Sequence, residues 1–268
     1  MNQFSKWLKL TSVITLLAGS ISGFSESLTA DAIVEKANLA SYYAGKDGRS
    51  DARMKIVDAQ GRTQLRQFVI LRQDVIDGDD QNFLVVFSRP SDVSGTSFLV
   101  NKHPKADDDR WLYLPGLDLV KRISAGDKRT SFVGSHYYYE DVSGRPPSED
   151  IHELTGQDDK FYQLKHRPKN PESVEFKYYT TKIDKETFLP MEIKYFDSSD
   201  HLIRSVEVQK VEVIQGFPTV IESKITDHKL NGYTLMQFAF MKYDLGVPES
   251  VFSERSLRNP PAQWLKRQ

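Results

Sequence analysis

Six histidines, at positions 103, 136, 152, 166, 201 and 228, come first among residues able to do chemistry, because the 268-residue chain has no cysteine. Disulfides, thiolate metal sites, iron–sulfur ligation and cysteine nucleophiles are excluded together. The histidines are scattered singly. His136 and Glu140 stand at i and i+4, where a strand would put both on one face, but two ligands are too few for a metal centre. Asp74, Asp77, Asp79 and Asp80 supply oxygens without the ligand and glycine spacing of a calcium loop, and Asp107-Asp108-Asp109 is three like charges before a strand. Both read as solvated turn or edge residues. There is no Gly-x-Ser-x-Gly elbow, no glycine-rich phosphate loop and no His-Glu-x-x-His, and Gly126-Asp127-Lys128-Arg129-Thr130 lacks Walker spacing. The expectation is therefore no enzyme, no metal and no cofactor. One cluster suggests binding instead: Lys121, Arg122, Lys128 and Arg129 lie close in sequence to Trp111 and Tyr113, where basic side chains could meet an anionic headgroup or an acidic partner.

Those groups must be positioned by something, and charge narrows what it is. The 36 Lys and Arg balance 37 Asp and Glu to a net charge of −1, which argues against binding nucleic acid by phosphate neutralisation. Lys6 and Lys9 precede an apolar stretch from Leu10 to Ile21 and then small residues, the pattern of a secretory signal peptide over residues 1–22 with cleavage between 22 and 27. Loss of Lys6 and Lys9 leaves 34 basic against 37 acidic residues. Leu17-Ala18-Gly19-Ser20 resembles a lipoprotein-processing box with serine where the lipid-accepting cysteine would stand, so no thioether anchor can form there. A protein soluble in a bacterial periplasm is expected, in contact with membrane surfaces only transiently.

The elements are mostly strands. One helix opens the mature chain: Thr29 caps it, Leu28 and Ile33 form a hydrophobic staple, and Ile33, Ala37 and Ala40 recur on one face before Gly45. Almost everything later alternates with period two, as in Val174/Phe176/Tyr178 and Leu189/Met191/Ile193/Tyr195. Turn residues separate these runs, and Asn231-Gly232 is the strongest hairpin signal. The apolar phase flips between Val206/Val208 and Val211/Val213, which predicts a bulge near Gln209-Lys210. Consecutive short-looped hairpins imply a large antiparallel meander. Phe83-Leu84-Val85-Val86-Phe87 and Trp111-Leu112-Tyr113-Leu114 are apolar at every position, so both faces of that part need cover. A curved sheet closed on one side by the helix and by loops would meet this need and leave an apolar interior. The run Phe132 to Tyr139 could be such a lid, or ordinary strand packing.

Asp109-Arg110-Trp111-Leu112-Tyr113-Leu114-Pro115-Gly116-Leu117, then Lys121-Arg122-Ile123, Ser131-Phe132-Val133-Gly134-Ser135 and Tyr139-Glu140-Asp141, resemble the signature of the outer-membrane lipoprotein-sorting proteins, a branch of the LolA/LolB-like superfamily. The secretory start, the opening helix and the Leu189-Pro190-Met191 strand entry extend the likeness over nearly all of the mature chain. His136 departs from the pattern, standing where an acidic residue is common. The resemblance implies an unclosed antiparallel β-barrel with a helical lid, formed as one domain over 28–268, whose cavity carries acyl chains of a lipid or lipoprotein between inner and outer membrane. Carriers of this superfamily hold the lid with an arginine, and no motif here marks which arginine that would be.

The resulting expectation is a monomeric carrier, with an inner-membrane transporter as a further partner. Its cavity would draw on Ile33 and Ala37 of the helix and on Phe83, Val85, Phe87, Phe98, Val100, Trp111 and Tyr113 of the strands. Lys121, Arg122, Lys128 and Arg129 would stand at the mouth. The alternative is an accessory module that docks on an envelope transporter without transporting anything.

Overall fold

The computed structural model describes residues 28–76 and 78–267. The expected signal peptide and Asp77 lie outside the described residues. Helix α1 spans Ala30–Tyr42, with the Thr29 hydroxyl accepting from the Ala32 amide at 3.2 Å. That bond satisfies one of the amides left without a partner at a helix start.

Thirteen strands form one antiparallel sheet. In chain order they are β1 (Asp47–Val57), β2 (Thr63–Asp74), β3 (Gln81–Arg89), β4 (Ser97–Lys102), β5 (Asp109–Leu114), β6 (Leu119–Arg122) and β7 (Asp150–Gln157). After these come β8 (Phe161–Pro168), β9 (Tyr178–Asp184), β10 (Pro190–Phe196), β11 (Leu202–Ile214), β12 (Phe217–Asp227) and β13 (Gly232–Tyr243). Their order across the sheet is β6-β5-β4-β3-β2-β1-β13-β12-β11-β10-β9-β8-β7, so β6 and β7 are edges and the sheet is not closed into a barrel. Nearly every neighbour in the sheet is also a neighbour in sequence, as short hairpins dictate. The β1–β13 pairing is the long-range exception that joins the two halves. Asn231 takes a positive φ of 53° before β13, and the register of β11 shifts between Val208 and Val211.

Alternation sorts the first half of the sheet into two apolar faces. Phe83, Val85 and Phe87 share the inner face with Met54, Phe68, Phe98, Val100 and Leu112, beneath Phe132 and Tyr139 of the segment that follows β6. Leu84, Val86, Leu71 and Leu99 share the outer face, and the end of the chain covers them. Val247, Val251, Phe252 and Leu257 are buried there, with Trp264 and Leu265 packed alongside. Short helices α3 (Glu254–Arg258) and α4 (Ala262–Leu265) carry part of this cover. The cover is also held by polar bonds: Arg49 Nε donates to the Trp264 carbonyl at 3.1 Å, and Ser97 donates to the Leu257 carbonyl at 2.6 Å.

This outer cover corrects one expectation. Trp111 and Tyr113 fall on the outer face with Leu99, while their neighbour Leu112 faces inward, so neither lines the interior. Strand parity forces the choice, because side chains one apart point to opposite faces.

Leu257 is fully buried against the outer face. Replacing Leu257 with Ala should cost about 2–5 kcal/mol of unfolding free energy by removing buried methyls and leaving a cavity. Urea denaturation showing no loss would mean that the terminal segment is not part of the folded core.

Candidate functional site

The inner face is roofed by two pieces of chain. One is α1, whose Ile33 and Ala37 pack on Leu164 of β8 and Ile183 of β9. The other is residues 123–149, with a short helix α2 (Tyr139–Ser143) at its centre. Between roof and sheet lie two cavities of about 230 Å³ each. Both include Ser41, Tyr42, Tyr137 and Asp141 in their walls, so these residues partition the interior.

The first cavity sits under the first half of the sheet. Phe68, Ile70, Phe83, Val85, Met236 and Phe238 line it. Apolar cavities of about 150 Å³ stay dry and admit small hydrocarbons, so this one can hold a segment of an apolar chain. Of the expected lining residues, Phe83 and Val85 are in its wall. Phe87, Phe98 and Val100 are buried in the cluster behind it, with the Phe98 and Phe132 rings 5.4 Å apart. Ala37 borders the second cavity, and Ile33 is packed beside it. Phe68, Ile70, Met236, Phe238 and Tyr42 were not anticipated. Their signal was present as period-two apolar positions in β2 and β13, but nothing in the sequence marked those faces as inner.

The roof is pinned at its two ends by charge. At the first, Arg72 of β2 donates to the carbonyls of Tyr42, Ala44 and Gly45, the last at 2.8 Å, and Gln81 donates to the Tyr42 carbonyl at 2.8 Å. The buried Lys102 ammonium lies 4.9 Å from the Tyr42 ring centre and 5.1 Å from that of Tyr43. Burial pushes this lysine down to about 8. Helix α1 has no basic residue in its last turn, so Arg72 and Lys102 supply from the sheet the positive charge that a helix C-terminus favours.

The second anchor is a buried ion cluster. Glu140 of α2, 1% exposed, meets Lys128 at 3.2 Å, Arg145 at 3.5 Å, and Arg129. Arg129 in turn holds Glu175 at 2.7 Å, and Arg145 holds Asp150 at 2.9 Å. Burial alone would raise the Glu140 carboxyl, but the facing cations hold it below the ordinary range. Beside the cluster, Arg204 of β11 pairs with Asp141 and lies 4.4 Å over the Tyr138 ring.

This cluster corrects the expected mouth. Lys128 and Arg129 are half-buried in ion pairs within the roof and with Glu175 of the loop ahead of β9, because a cation removed from water needs a carboxylate partner. Only Lys121 and Arg122, on the edge strand β6, are exposed, and Arg122 pairs with Asp109. His136 and Glu140 do not face one another: His136 Nδ1 is 2.9 Å from the Thr234 hydroxyl, and Glu140 faces the cations. Among the described residues no group of three or more His, Asp or Glu is placed to hold a metal ion. In the acidic turn, Asp74 engages Arg72 and Gln81, Asp79 engages Lys105, and Asp80 engages His103.

Two histidines form a pair that the sequence did not reveal. His152 Nδ1 and His166 Nδ1 are 2.8 Å apart, His152 Nε2 is 3.0 Å from the Pro147 carbonyl, and His166 Nε2 is 2.9 Å from the Thr181 hydroxyl. The carbonyl only accepts, so His152 carries its proton on Nε2. His166 Nδ1–H then donates to His152, and Thr181 donates to His166 Nε2. All four ring nitrogens are satisfied with both rings neutral. Burial, helped by the neighbouring His152, pushes His166 down to about 3.

Two outcomes are expected from these contacts. Glu140→Gln should destabilise the fold by about 1.5–3 kcal/mol, since it removes the carboxylate shared by three cations and leaves them only their outer partners Glu149, Glu175 and Asp150. Urea unfolding with an unchanged midpoint would show that the cluster does not anchor the roof. The unfolded chain takes up a proton at His166 before the folded protein does, so the stability from this neutral ring is complete above about pH 6.5. It is lost on acidification toward pH 3, at up to about 1.4 kcal/mol per pH unit. His166→Phe should flatten the pH dependence of unfolding free energy between pH 6.5 and 4, and a slope equal to that of the wild type would contradict the assignment.

The architecture has known counterparts. A family model described as “-like: Uncharacterized protein” matches residues 79–259. No curated protein matches the sequence. Among solved structures, a DUF1329 family protein from Desulfovibrio piger is 28% identical with a TM-score of 0.78, over 85% of this chain and 97% of that one. A putative outer membrane lipoprotein-sorting protein domain from Vibrio parahaemolyticus is 24% identical with a TM-score of 0.77, over 86% and 98%. A LolA superfamily protein from Nitrosomonas europaea shares the fold at 17% identity and a TM-score of 0.64, over 85% and 99%. That family model covers more than half of the chain, so the chain belongs to the family it describes, and the unclosed antiparallel sheet with its opening helix is the fold it shares with the DUF1329, lipoprotein-sorting and LolA superfamily structures.

Proposed function

We propose that this protein is a carrier, not an enzyme, that takes up an acyl chain of a lipid or lipoprotein and moves it between the inner and outer membranes. The observation that carries this reading is the first cavity: a mostly apolar hollow between sheet and roof whose wall includes Phe68, Ile70, Phe83, Val85, Met236 and Phe238. Each methylene moved from water into such a space gains about 0.8 kcal/mol, so even part of a chain offsets much of the cost of leaving a membrane. Arg72 is our candidate for the arginine that holds the helical part of the roof, through the carbonyls at the end of α1.

The N-terminal pattern supports export of one mature domain to the periplasm. No helix among the described residues is long and apolar enough to cross a membrane. Of the four basic candidates Lys121 and Arg122 stay exposed on the edge strand, Arg122 in an exchangeable surface pair with Asp109, and they are placed to meet an anionic headgroup, a membrane surface or an inner-membrane transporter. The carrier would act as a monomer.

The test is uptake of a fluorescent fatty acid by the purified mature chain. Saturable uptake is expected, weakened at least tenfold by Val85→Trp, which fills the cavity, with circular dichroism confirming that the variant is folded. A wild-type protein that takes up nothing would overturn the carrier reading in favour of a non-transporting interaction module.

A further inference from the structure

The two cavities differ in chemistry, and the difference says something about the ligand. The first is walled mostly by aromatic and aliphatic side chains, with Arg49, Arg72 and Asp141 at its margins already engaged in ion pairs. The second, on the far side of the Tyr42–Tyr137–Asp141 partition, lies under β8–β12 and is walled by Asn38, His166, Thr181, Tyr195 and Ser223 as well as by aliphatic groups. The partition is tightly built. Gly144, at φ +79°, gives up its side chain to the Tyr42 ring, which occupies the space where a Cβ would stand. Tyr137 completes it from the roof by bonding the Ser223 hydroxyl at 3.0 Å.

The charged groups around the second cavity are paired in charge with one another, and the atoms among them that make no hydrogen bond, Glu140 Oε1, Arg145 Nη1 and Arg204 Nε and Nη1, are closed off from it by burial. Glu140 faces Lys128, Arg129 and Arg145; Asp141 faces Arg204; and Arg145 also bonds Asp150 at 2.9 Å. The His166 ring is held neutral within its pair. A charged guest would have to break one of these buried pairs, at a cost of several kcal/mol. Neutral groups are in a different position. Among the described residues none hydrogen-bonds the hydroxyls of Tyr42 and Tyr195 or the side-chain amide of Asn38, although all three residues line this cavity. Polar atoms in a shielded space gain from a partner that brings both donors and acceptors.

We infer that the second cavity is a headgroup compartment, and that the ligand is an amphiphile whose acyl chain occupies the first cavity while an uncharged, hydroxyl-bearing headgroup of the glycerol or sugar type occupies the second. The inference rests on the carrier reading and narrows it. The headgroup is carried inside the protein, on the hydroxyls of Tyr42 and Tyr195 and the amide of Asn38, and does not wait at the mouth on exposed lysine and arginine.

The test compares ligands that share one twelve-carbon acyl chain and differ in head: methyl laurate, 1-monolauroylglycerol, lauroyl glucose and 1-lauroyl lysophosphatidic acid. Each displaces the apolar fluorophore N-phenyl-1-naphthylamine from the mature chain. Wild type should bind the glycerol or the glucose ester at least tenfold more tightly than methyl laurate, and whichever of the two is tighter identifies the head. The lysophosphatidic acid should gain nothing over methyl laurate. The double variant Asn38→Leu/Tyr195→Phe should lose the tenfold preference while keeping the affinity for methyl laurate, which also shows that it is folded. Val85→Trp should weaken all four. Equal affinity of the double variant and wild type for the polyol esters, or tightest binding of the phosphate, would overturn the headgroup compartment and leave the carrier intact. Failure of the wild type to bind any of the four would instead remove the carrier reading itself.

Discussion

A sheet that is apolar on both faces must be covered twice, and the rest of this molecule follows from how the two covers differ. The outer cover, from Val247 to Leu265, lies flat on the sheet and fills its face with Val251, Phe252 and Leu257. The inner cover does not collapse in the same way. Its ends are fixed by charge, with Arg72 holding the carbonyls after α1 and Glu140 locked among Lys128, Arg129 and Arg145. Buried ion pairs tolerate little movement, because losing a partner strands a charge away from water. Chain pinned in this manner cannot sink into the space beneath it, and two hollows remain.

Much of the fold was legible in the residues. Thr29, Ile33 and Ala37 marked the opening helix, the period-two runs marked the strands, and the phase flip after Val208 marked the register shift seen in β11. The all-apolar run Phe83–Phe87 required two covers, but the second cover was not foreseen, since Val247, Val251 and Phe252 are too sparse to show a period. Alternation also does not say which parity faces inward. The run Trp111–Leu114 is apolar at every position, so either parity could line the interior; Trp111 and Tyr113 were the expected pair, and the structure turns Leu112 inward instead.

The site was less legible because its organising contacts are distant in sequence. Arg129 meets Glu175, 46 residues away, and Arg204 meets Asp141, 63 residues away. Read locally, Lys121, Arg122, Lys128 and Arg129 are one basic patch. Folded, the first two are exposed and the last two are structural. Residue type set what each group needed, a counter-charge or water, and only the topology decided which one it received. The same holds for His152 and His166, placed opposite each other by the β7–β8 pairing.

The central claim is that the hollows between sheet and roof are shaped to take an acyl-bearing guest. Native mass spectrometry of the mature chain, purified without detergent from a host that exports it, addresses this directly. The account predicts a population heavier than the bare polypeptide by the mass of one acyl-bearing molecule, which organic extraction removes and identifies. A spectrum of bare polypeptide alone, unchanged after incubation with membrane lipid, would contradict it.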